Sequence, residues 1–565
     1  MNKYDILQLG AYAGLLVLFT PPLGAYMARV FAGERTFMSS VVGWLERFTY
    51  RLGGVDPAKE MNWKEYAWAV MAFTTISLAA VFLIQVFQAY LPLNPNKLGN
   101  VEWASALNTA ISFMTNTNWQ GYAGETTLSY FSQMMGLAVQ NFVSAAYGIA
   151  VFLALARGIS RKSTDLIGNF WADLVRCTIY VLLPLSLIFA FVLVGQGVVQ
   201  TFSANREITT LEGAKQTIPL GPAASQIAIK QLGTNGGGFF NANSAHPLES
   251  PTPLSNFLEM LALLMIPAGL VYSYGIMIKD KKHAWVLYAV MLAIWASGLA
   301  VALYSEHDAA ARLYHGMSLM EGKETRFGVT NSALWAVSTT VASNGSVNAM
   351  HSSLSPLAGG VALFNMHLGE IIFGGVGSGM YGMLFFVIMT VFLAGLMVGR
   401  TPEYMGKKIE KREVQMAMIG ILGPGALILI GTAIACSLPA GLSSLLSKGP
   451  HGFSEILYAY TSAVANNGSA FAGLNANTRF YNLTLSLALY AGRFICLLPA
   501  LALAGSLAGK KSAAPSAGTF STGGSMFALL LTSVIILVGV LTFVPALVLG
   551  PILEHMLMVK GLFLF

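Results

Sequence analysis

The chain contains few charged residues for its length. Asp, Glu, Lys and Arg make up 10% of its 565 residues, whereas they make up about a quarter of a typical soluble chain. Hydrophobic residues account for 55%, which is more than a single core needs, so most of the surplus is expected to face lipid or other membrane helices. This composition excludes an ordinary soluble protein and predicts several membrane crossings.

Cysteine is also scarce. Cys177, Cys436 and Cys496 lie in separate apolar stretches without paired spacing, so neither a disulfide framework nor a zinc site is expected. The formal charge of +7 is small, and short loops carry it instead of one basic tract. That distribution is typical of membrane topology and not of nucleic-acid binding.

Nucleotide-binding features are missing as well. The sequence has no G-x-x-x-x-G-K-[ST] phosphate loop and no Asp-Lys-Thr-Gly phosphorylation sequence. Residues 377–382 match G-x-G-x-x-G, but they lie in an apolar span without a preceding strand, so dinucleotide binding is not expected. The longest predicted cytoplasmic loop, 31–65, is too short for a nucleotide-binding domain. If ATP drives an activity of this chain, another polypeptide must hydrolyse the ATP.

Long apolar runs are abundant. With about 20 residues needed per crossing, the sequence predicts ten spans, at 6–30, 66–91, 129–156, 173–199, 252–278, 284–304, 371–398, 415–440, 481–509 and 526–550. A basic cluster follows every odd-numbered span, and the other loops are poorer in Lys and Arg. The positive-inside rule therefore places both termini outside the cytoplasm. The predicted fold class is an all-α polytopic membrane protein.

A pattern recurs in four of the predicted outer loops. Each contains a short semi-apolar stretch of helical length, at 107–114, 224–232, 333–342 and 456–465. A polar, Gly-rich segment follows each stretch, and we name these segments the first loop (115–121), second loop (233–238), third loop (343–346) and fourth loop (466–469). The predicted repeats are 64–160, 161–282, 283–412 and 413–511, with a first span and cytoplasmic loop at 1–63 and a last span and outer tail at 512–565.

The repeated pattern favours a pore for a monovalent cation. The short stretches cannot cross a bilayer, and non-helical backbone at membrane depth is tolerated only where it lines a cavity or is buried in protein. Four units about a pseudo-fourfold axis would bring the loops together, where carbonyl oxygens can replace a cation's water shell and helix carboxyl ends favour positive charge. Asn-Gly and Gly-Gly are also ordinary turn sequences, but four loops in the same order favour the pore.

Five stretches carry a family resemblance: TNTNWQGYAGETTLSYFSQM (115–134), GTNGGGFFNANSAHPLESPTPLSN (233–256), MEGKETRFG (320–328), GRTPEYMGKK (399–408) and GPHGFSEILYAYTSAVANNGSAFAGL (449–474). They resemble the A-subunit family (KdpA) of the bacterial Kdp potassium-transporting ATPase, and the resemblance extends over essentially the whole chain. It implies a member of the K+ transporter superfamily that selects K+ at an extracytoplasmic filter for ATP-driven, high-affinity uptake.

The resemblance also implies a location, partners and a transported ion. The location would be the bacterial inner membrane, with lipid around the spans. The partners would be a P-type ATPase catalytic subunit (KdpB-like), a single-span subunit (KdpC-like) and a small hydrophobic peptide (KdpF-like). K+ would be the transported ion, and this chain would bind no nucleotide.

The filter residues implied by the resemblance lie in or beside the four loops. They are Asn116, Thr117, Asn118, Gln120, Thr234, Asn235, Gly236, Gly237, Asn241, Ser343, Asn344, Gly345, Asn466, Asn467 and Gly468. Asn344 is a departure, because the family often has a cysteine there. Its amide offers both an oxygen and a donor, so the K+ affinity or selectivity is expected to differ.

Charged residues and glycines inside the spans need an explanation. A central arginine such as Arg493 costs about 2.5–3.5 kcal/mol on insertion scales, so it must face a partner or a wet pathway. The segment that opens span seven begins with Glu370 and contains Gly374, Gly375 and Gly377. Each glycine weakens a helix by about 1 kcal/mol, which predicts a break below the filter. Arg493 and this segment either obstruct straight passage of ions, or Arg493 pairs with a carboxylate and only orders helices.

The loop after span seven contains Arg400, Lys407 and Lys408, which we expect to contact acidic residues of the ATPase partner; a purely membrane-orienting cluster is the alternative. Three other functions stay open. One is a channel-like or ion-coupled K+ transporter without an ATPase. Another is a membrane metallo-enzyme built on His367 and Glu370, which have the one-turn spacing of a metal pair, with His351 nearby; no third ligand at compact spacing supports it. The last is a scaffold whose repeat is vestigial.

Overall fold

The computed structural model describes residues 3–313, 319–397, 399, 401–512 and 521–562. These residues include ten helices that are long and apolar enough to cross a membrane: Lys3–Phe31, Trp63–Val86, Ser132–Ser160, Phe170–Gly195, Pro253–Met277, Lys281–Leu313, Ser378–Met397, Lys411–Ser437, Arg479–Ala508 and Ser525–Val559. The predicted number of spans and the all-α polytopic fold class are therefore confirmed. Three spans contain a π-helical turn, at Ser132–Ala138, Cys177–Leu182 and Val548–Ile552.

The spans differ in how much of their surface the protein covers. The third and fifth spans (Ser132–Ser160 and Pro253–Met277) are mostly buried, whereas less than a quarter of the most apolar stretch of the first, second and eighth spans is buried. Exposed apolar surface of this extent on a membrane-spanning helix is expected to face lipid. The third and fifth spans therefore form the centre of the bundle.

Four shorter helices precede the four loops. They are Trp103–Met114, Ala223–Leu232, Gly328–Val341 and Gly449–Ala465. Their ends lie within a residue of the predicted ends, but three of them begin several residues earlier, because their first turns contain polar residues and glycine instead of an apolar run. Glu102, for example, caps the first of them by accepting the backbone N–H groups of Ala104 and Ser105 at 2.8 and 3.0 Å.

The predicted start of span seven was wrong. The helix begins at Ser378, and it follows a helix at Pro356–His367 and a non-helical segment at 368–377. Five residues of this segment have positive φ: Gly369, Glu370, Phe373, Gly374 and Gly377. A Cβ at Gly374 would lie 2.1 Å from the Cα of Gly379, so the chain can fold this tightly only where glycine occupies the position. The break that the glycine density indicated is present.

The remaining regular structure is short. Three antiparallel strand pairs occur, Met61–Asn62 with Leu166–Gly168, Arg206–Thr209 with Lys215–Ile218, and Glu403–Tyr404 with Lys407–Lys408. The smaller helices are Ser39–Gly53, Gly124–Thr127, Pro439–Leu442 and the short turns Gln88–Tyr90, Asn243–Ala245 and His351–Ser353. Helix Ser39–Gly53 was not predicted; its exposed Val41, Trp44 and Phe48 are typical of a helix that lies along a membrane surface.

Lys407 joins the ends of two spans. Its side chain is 1% exposed, and the ammonium donates to the carbonyls of Gly158 and Leu507 at 2.8 and 2.7 Å, as well as to that of Arg161. These carbonyls belong to the last turns of the third and ninth spans or follow directly, where a cation is favourable. Burial, with Lys162 and Lys510 nearby, lowers the pKa of Lys407 to about 8. Lys407 is therefore engaged within the chain, whereas Lys408 is exposed, and Arg400 lies outside the described residues.

We expect Lys407→Met to destabilise the protein, because it leaves three buried carbonyls without their charged donor. A hydrogen bond to a charged group contributes about 1.5–3 kcal/mol, so the melting temperature in detergent should fall by several degrees. Lys408→Met is the matched control, since it removes the neighbouring exposed ammonium and should leave the melting temperature unchanged. Equal melting temperatures for the two variants would contradict this role of Lys407.

Candidate ion-binding site

The four short helices end with the same backbone conformation. One or two positions after each helix ends, a residue has a left-handed φ: Asn116 at 66°, Thr234 at 47°, Ser343 at 53° and Asn466 at 61°. The next residue donates its backbone N–H to the carbonyl five positions earlier, at 2.8 to 3.2 Å. This is the Schellman arrangement, which satisfies carbonyls that the end of a helix leaves without partners. The loops therefore leave their helices in the same way, although their sequences differ.

A second left-handed residue follows two positions later in every loop. These residues are Asn118 at 57°, Gly236 at 79°, Gly345 at 84° and Gly468 at 104°. Three of the four are glycine, which adopts this conformation without steric cost. The polar, Gly-rich composition of the loops therefore reflects a shared backbone path and not merely a set of surface turns.

The loops contact one another in cyclic order. Asn116 of the first loop donates through Nδ2 to the Thr234 carbonyl of the second at 3.0 Å, and Ser343 of the third donates through Oγ to the Asn466 carbonyl of the fourth at 2.8 Å. The closest approaches between loops occur at glycines, where a side chain would not fit. A Cβ atom added to Gly236 would lie 1.6 Å from the backbone oxygen of Asn344. Added to Gly345 or Gly468, it would lie 2.1 Å from the backbone oxygen of Asn467 or Thr117. The four loops form a closed ring.

The ring presents backbone oxygen. Thr117, Asn235, Asn344 and Asn467 occupy the same position in the four loops, and each is 0% exposed. Their N–H groups are bonded back to the helices, but their carbonyls accept no hydrogen bond from the residues that the structure describes. A buried carbonyl without a donor is costly unless water or a cation meets it. Four such oxygens, at the carboxyl ends of four helices, suit a dehydrated monovalent cation.

The structure does not bring every predicted filter residue to this ring. Gly237 packs on Asn118, since a Cβ there would lie 2.7 Å from that of Asn118. Gln120 lies beside the ring and is half-buried. Asn241 is exposed, and its backbone N–H donates to Glu125 at 2.8 Å. Sequence reasoning missed Asn243, whose Nδ2 donates to the Gly236 carbonyl at 2.8 Å; nothing in the stretch Phe-Asn-Ala-Asn-Ser distinguishes the two asparagines.

The side chain of Asn344 points away from the ring. Its Nδ2 donates to the carbonyl of Lys230 at 3.2 Å, and its Oδ1 accepts the backbone N–H of Ser346 at 2.9 Å. The backbone oxygen of Asn344 is the group that faces the neighbouring loop. The side chain therefore fixes the position of the third loop against the second short helix.

The glycine-rich segment 368–377 lies directly against the ring. The backbone N–H of Val376 donates to Thr234 Oγ1 at 3.0 Å, and a Cβ at Gly375 would lie 3.2 Å from that of Ser343. Glu370 accepts from Asn467 Nδ2 through Oε1 at 2.6 Å, while its Oε2 has no hydrogen-bond partner among the described residues. The segment therefore presents a buried carboxylate beside the ring.

A cavity of about 70 Å³ continues from the ring, and Arg493 lines it together with Glu370, Ser343 and Asn466. Arg493 is 4% exposed. Its Nε donates to the Tyr147 hydroxyl at 2.9 Å, and its guanidinium lies 4.8 Å from the centre of the aromatic ring of Tyr147. No carboxylate in the described part of the chain lies within salt-bridge distance of Arg493, so the Arg–carboxylate pair considered above is not present there.

The histidines considered as metal ligands lie apart in their own contacts. His367 contacts Thr461 Oγ1 at 3.0 Å and stacks on Phe543 with centroids 3.9 Å apart. His351 contacts the Tyr458 hydroxyl at 2.8 Å. Among the described residues, no group of three or more His, Cys, Asp or Glu side chains could hold a metal ion.

Comparison with known proteins identifies the family. Residues 11–556 match the model of the potassium-transporting ATPase A subunit family, KdpA. The chain belongs to this family. Proteins from Sorangium cellulosum and Pseudomonas aeruginosa, each named potassium-transporting ATPase potassium-binding subunit, are both 55% identical to it. The alignments cover 99% and 98% of this chain and 100% and 99% of those proteins.

A similar fold occurs in a solved structure. The potassium transporter TrkH from Vibrio parahaemolyticus superposes with a TM-score of 0.52, over 88% of this chain and 98% of TrkH. The sequences are only 14% identical, so this likeness shows a shared fold alone. This chain and TrkH therefore share an arrangement of helices that their sequences scarcely reveal.

We expect Gly468→Ala to abolish cation binding at the ring, because its Cβ would meet the Thr117 carbonyl oxygen at 2.1 Å. The measurement is the K+-dependent rise in melting temperature, which binding to the folded state produces. Gly213→Ala is the matched control, since Gly213 also has a left-handed φ, 84°, but has nothing within 4 Å of the added Cβ. Retention of the K+-dependent shift in Gly468→Ala would contradict the closed ring.

We expect Asn344→Cys to leave transport intact but to shift the apparent K+ affinity. The thiol is shorter than the amide and is a weaker donor to the Lys230 carbonyl and a weaker acceptor from the Ser346 N–H, so the third loop should move slightly against the second helix. The measurement is K+ uptake over a range of K+ concentrations in cells that contain the variant complex. An unchanged affinity would show that the side chain at this position does not influence the ring.

Proposed function

We propose that this chain binds K+ within the ring of the four loops and passes it to a partner P-type ATPase subunit that hydrolyses ATP. The observation that carries the proposal is the set of four equivalent buried carbonyls at the ends of four helices. Membership of the KdpA family supports it, as do the names of the relatives, which describe potassium-binding subunits of a potassium-transporting ATPase. The ring selects the ion before any coupling to ATP.

The oxygens of the ring replace the water that K+ loses. Each carbonyl is held by a Schellman turn and by the neighbouring loop, so the four oxygens change position little when the ion arrives. Such pre-organisation lowers the cost of ordering the site on binding. The negative ends of the four helix dipoles add a favourable potential for a cation and an unfavourable one for an anion.

Arg493 and the segment 368–377 form the barrier on the far side of the ring. An arginine without a carboxylate partner keeps its full charge in the cavity and repels a cation that leaves the ring along the axis. Glu370 lines the same cavity and offers an Oε2 atom without a hydrogen-bond partner among the described residues. In this proposal an ion is kept from Arg493 and can be met by that oxygen, which favours its transfer to a partner over free leakage through the chain.

ATP hydrolysis belongs to a partner in this proposal, as do the finer details of assembly. Lys408, which is exposed, and Arg400, from the same stretch of sequence, are the basic side chains proposed to contact acidic groups of the ATPase subunit, whereas Lys407 is engaged within the chain. The remaining partners are the single-span subunit and the small hydrophobic peptide. We place the complex in the bacterial inner membrane, with both termini of this chain outside the cytoplasm.

Affinity purification from the native host in mild detergent tests this proposal. We expect a P-type ATPase to copurify with the tagged chain and its hydrolysis of ATP to rise on addition of K+. The matched control is the same preparation with the Gly468→Ala chain, which should retain the partner but lose the stimulation. A chain that purifies alone and conducts K+ without hydrolysis would favour a channel-like transporter and overturn the proposed coupling.

Replacement of Arg493 separates a barrier from a structural role. We expect Arg493→Met to raise the K+ leak of proteoliposomes that contain the assembled complex, and to lower the amount of K+ transported per ATP hydrolysed. Tyr147→Phe is a useful companion, because it removes the hydroxyl bonded to Arg493 but leaves the charge in the cavity. If Arg493→Met lowers only the yield of protein, with leak and coupling unchanged, Arg493 orders helices and is no barrier.

A further inference from the structure

A buried ion pair lies behind the second loop. Lys230 is in the last turn of helix Ala223–Leu232, and its ammonium contacts the carboxylate of Glu249; both side chains are 0% exposed. A buried charge is costly unless it is both paired and hydrogen-bonded. Lys230 is the only charged residue on this helix. It lies five positions before Asn235, whose backbone N–H donates to the Lys230 carbonyl, so this residue is close to the ring.

Lys230 fixes the orientation of Asn243. Its ammonium donates to Asn243 Oδ1 at 2.7 Å, and the backbone N–H of Ser244 donates to the same oxygen at 2.9 Å. An ammonium can only donate, so Oδ1 must face Lys230 and the amide nitrogen must face the other way. That nitrogen donates to the Gly236 carbonyl at 2.8 Å. The ammonium of Lys230 and the N–H of Ser244 therefore together determine that the Gly236 carbonyl meets a donor and not a second oxygen.

The second loop differs from the other three in this respect. The equivalent carbonyls, those of Asn118, Gly345 and Gly468, accept no hydrogen bond from the residues described by the structure. The carbonyl oxygen of Gly236 is thus restrained by a hydrogen bond from Asn243, whereas the three equivalent carbonyl oxygens have no such bond from the described residues. A ring with one restrained carbonyl cannot adjust evenly to ions of different size, and the number and field strength of coordinating carbonyls govern ion selectivity.

We propose that Lys230 and Glu249 are a positioning pair that sets ion selectivity by orienting Asn243 and, through it, the Gly236 carbonyl. This inference rests on the proposed binding of K+ at the ring, and it adds two residues that influence which ion the ring prefers. Neither residue touches the ion; both act through Asn243. Removal of the ammonium leaves Asn243 Oδ1 with its bonds from Ser244 but without its charged donor, so the Asn243 amide is held less firmly and the Gly236 carbonyl should become more adaptable.

The third repeat provides a matched control pair. Lys323 and Glu306 are also 0% exposed and lie 3.1 Å apart. Lys323 donates to the Ser353 carbonyl at 3.2 Å, and Glu306 accepts the backbone N–H of Ser355 at 2.7 Å. Neither serine belongs to a ring loop. The two pairs are equally buried, but only the pair of the second repeat reaches a loop carbonyl.

The test compares Lys230→Met with Lys323→Met in the purified complex. K+, Rb+ and Na+ are the probes, and apparent KM, maximal rate and melting temperature are measured for each variant. We expect Lys230→Met to change the ratio of the KM values for Rb+ and K+ by about tenfold, which corresponds to about 1.4 kcal/mol of differential binding, with a maximal rate close to that of the wild type. Lys230→Arg keeps donors at this position and should restore part of the ratio.

Lys323→Met should lower the melting temperature without a change in the ratio. If both lysine variants lose stability and neither changes the ratio, the pair is structural and the inference is overturned. Should Lys230→Met fail to assemble, Glu249→Gln removes the charge that holds the ammonium in place, and an unchanged ratio in that variant also overturns it. A wild-type complex without any K+ dependence would instead overturn the proposed function, so the two failures are distinguishable.

Discussion

The rest of this structure depends on one constraint, which is that a backbone carbonyl buried at membrane depth must meet a donor or a cation. Spans satisfy it internally, because a carbonyl in the middle of a helix accepts the N–H of the residue four positions later wherever that residue is not proline. The four loops do not. Their N–H groups are bonded back to the short helices, and the left-handed turns that make this possible leave carbonyls facing the neighbouring loop. A cation is what the remaining oxygens can accommodate.

The glycines follow from the same constraint. The loops can close into a ring only if the backbone of one approaches the carbonyl of the next within a distance that excludes a side chain, as at Gly236, Gly345 and Gly468. The first loop has Asn118 at the corresponding position, with the same left-handed backbone, and this asparagine packs against Gly237. Hydrogen bonds from polar side chains such as Asn116 and Ser343 then join the loops to each other. These hydrogen bonds are stronger in a low-dielectric interior than in water.

Local features of the sequence predicted much of this arrangement, since span number and short-helix ends depend on runs of neighbouring residues. The loops were found because four similar segments recur. What the sequence could not provide depends on tertiary contact. In the sequence Lys407 looks like an exposed loop lysine, and only the fold shows that the ends of two spans bury it. Likewise, only the fold shows that Lys230 contacts Asn243 and not Asn241. The late start of the seventh span follows from close approaches at Gly374 and Gly377, which no hydropathy pattern records.

Tyr147 connects the ring to Arg493, the residue proposed above as a barrier. Tyr147 donates to the carbonyl of Met114, the last residue of the first short helix, and its hydroxyl accepts from Arg493. Its neighbour Gly148 lies against the Val376 carbonyl and the Arg493 guanidinium, since a Cβ there would be 2.6 and 3.2 Å from them. The third span therefore holds the first loop, the glycine-rich segment and the arginine from one turn of helix. In the function proposed above, an ion that displaces the ring would also displace Arg493 and the glycine-rich segment, and the third span would couple ion binding to ion release.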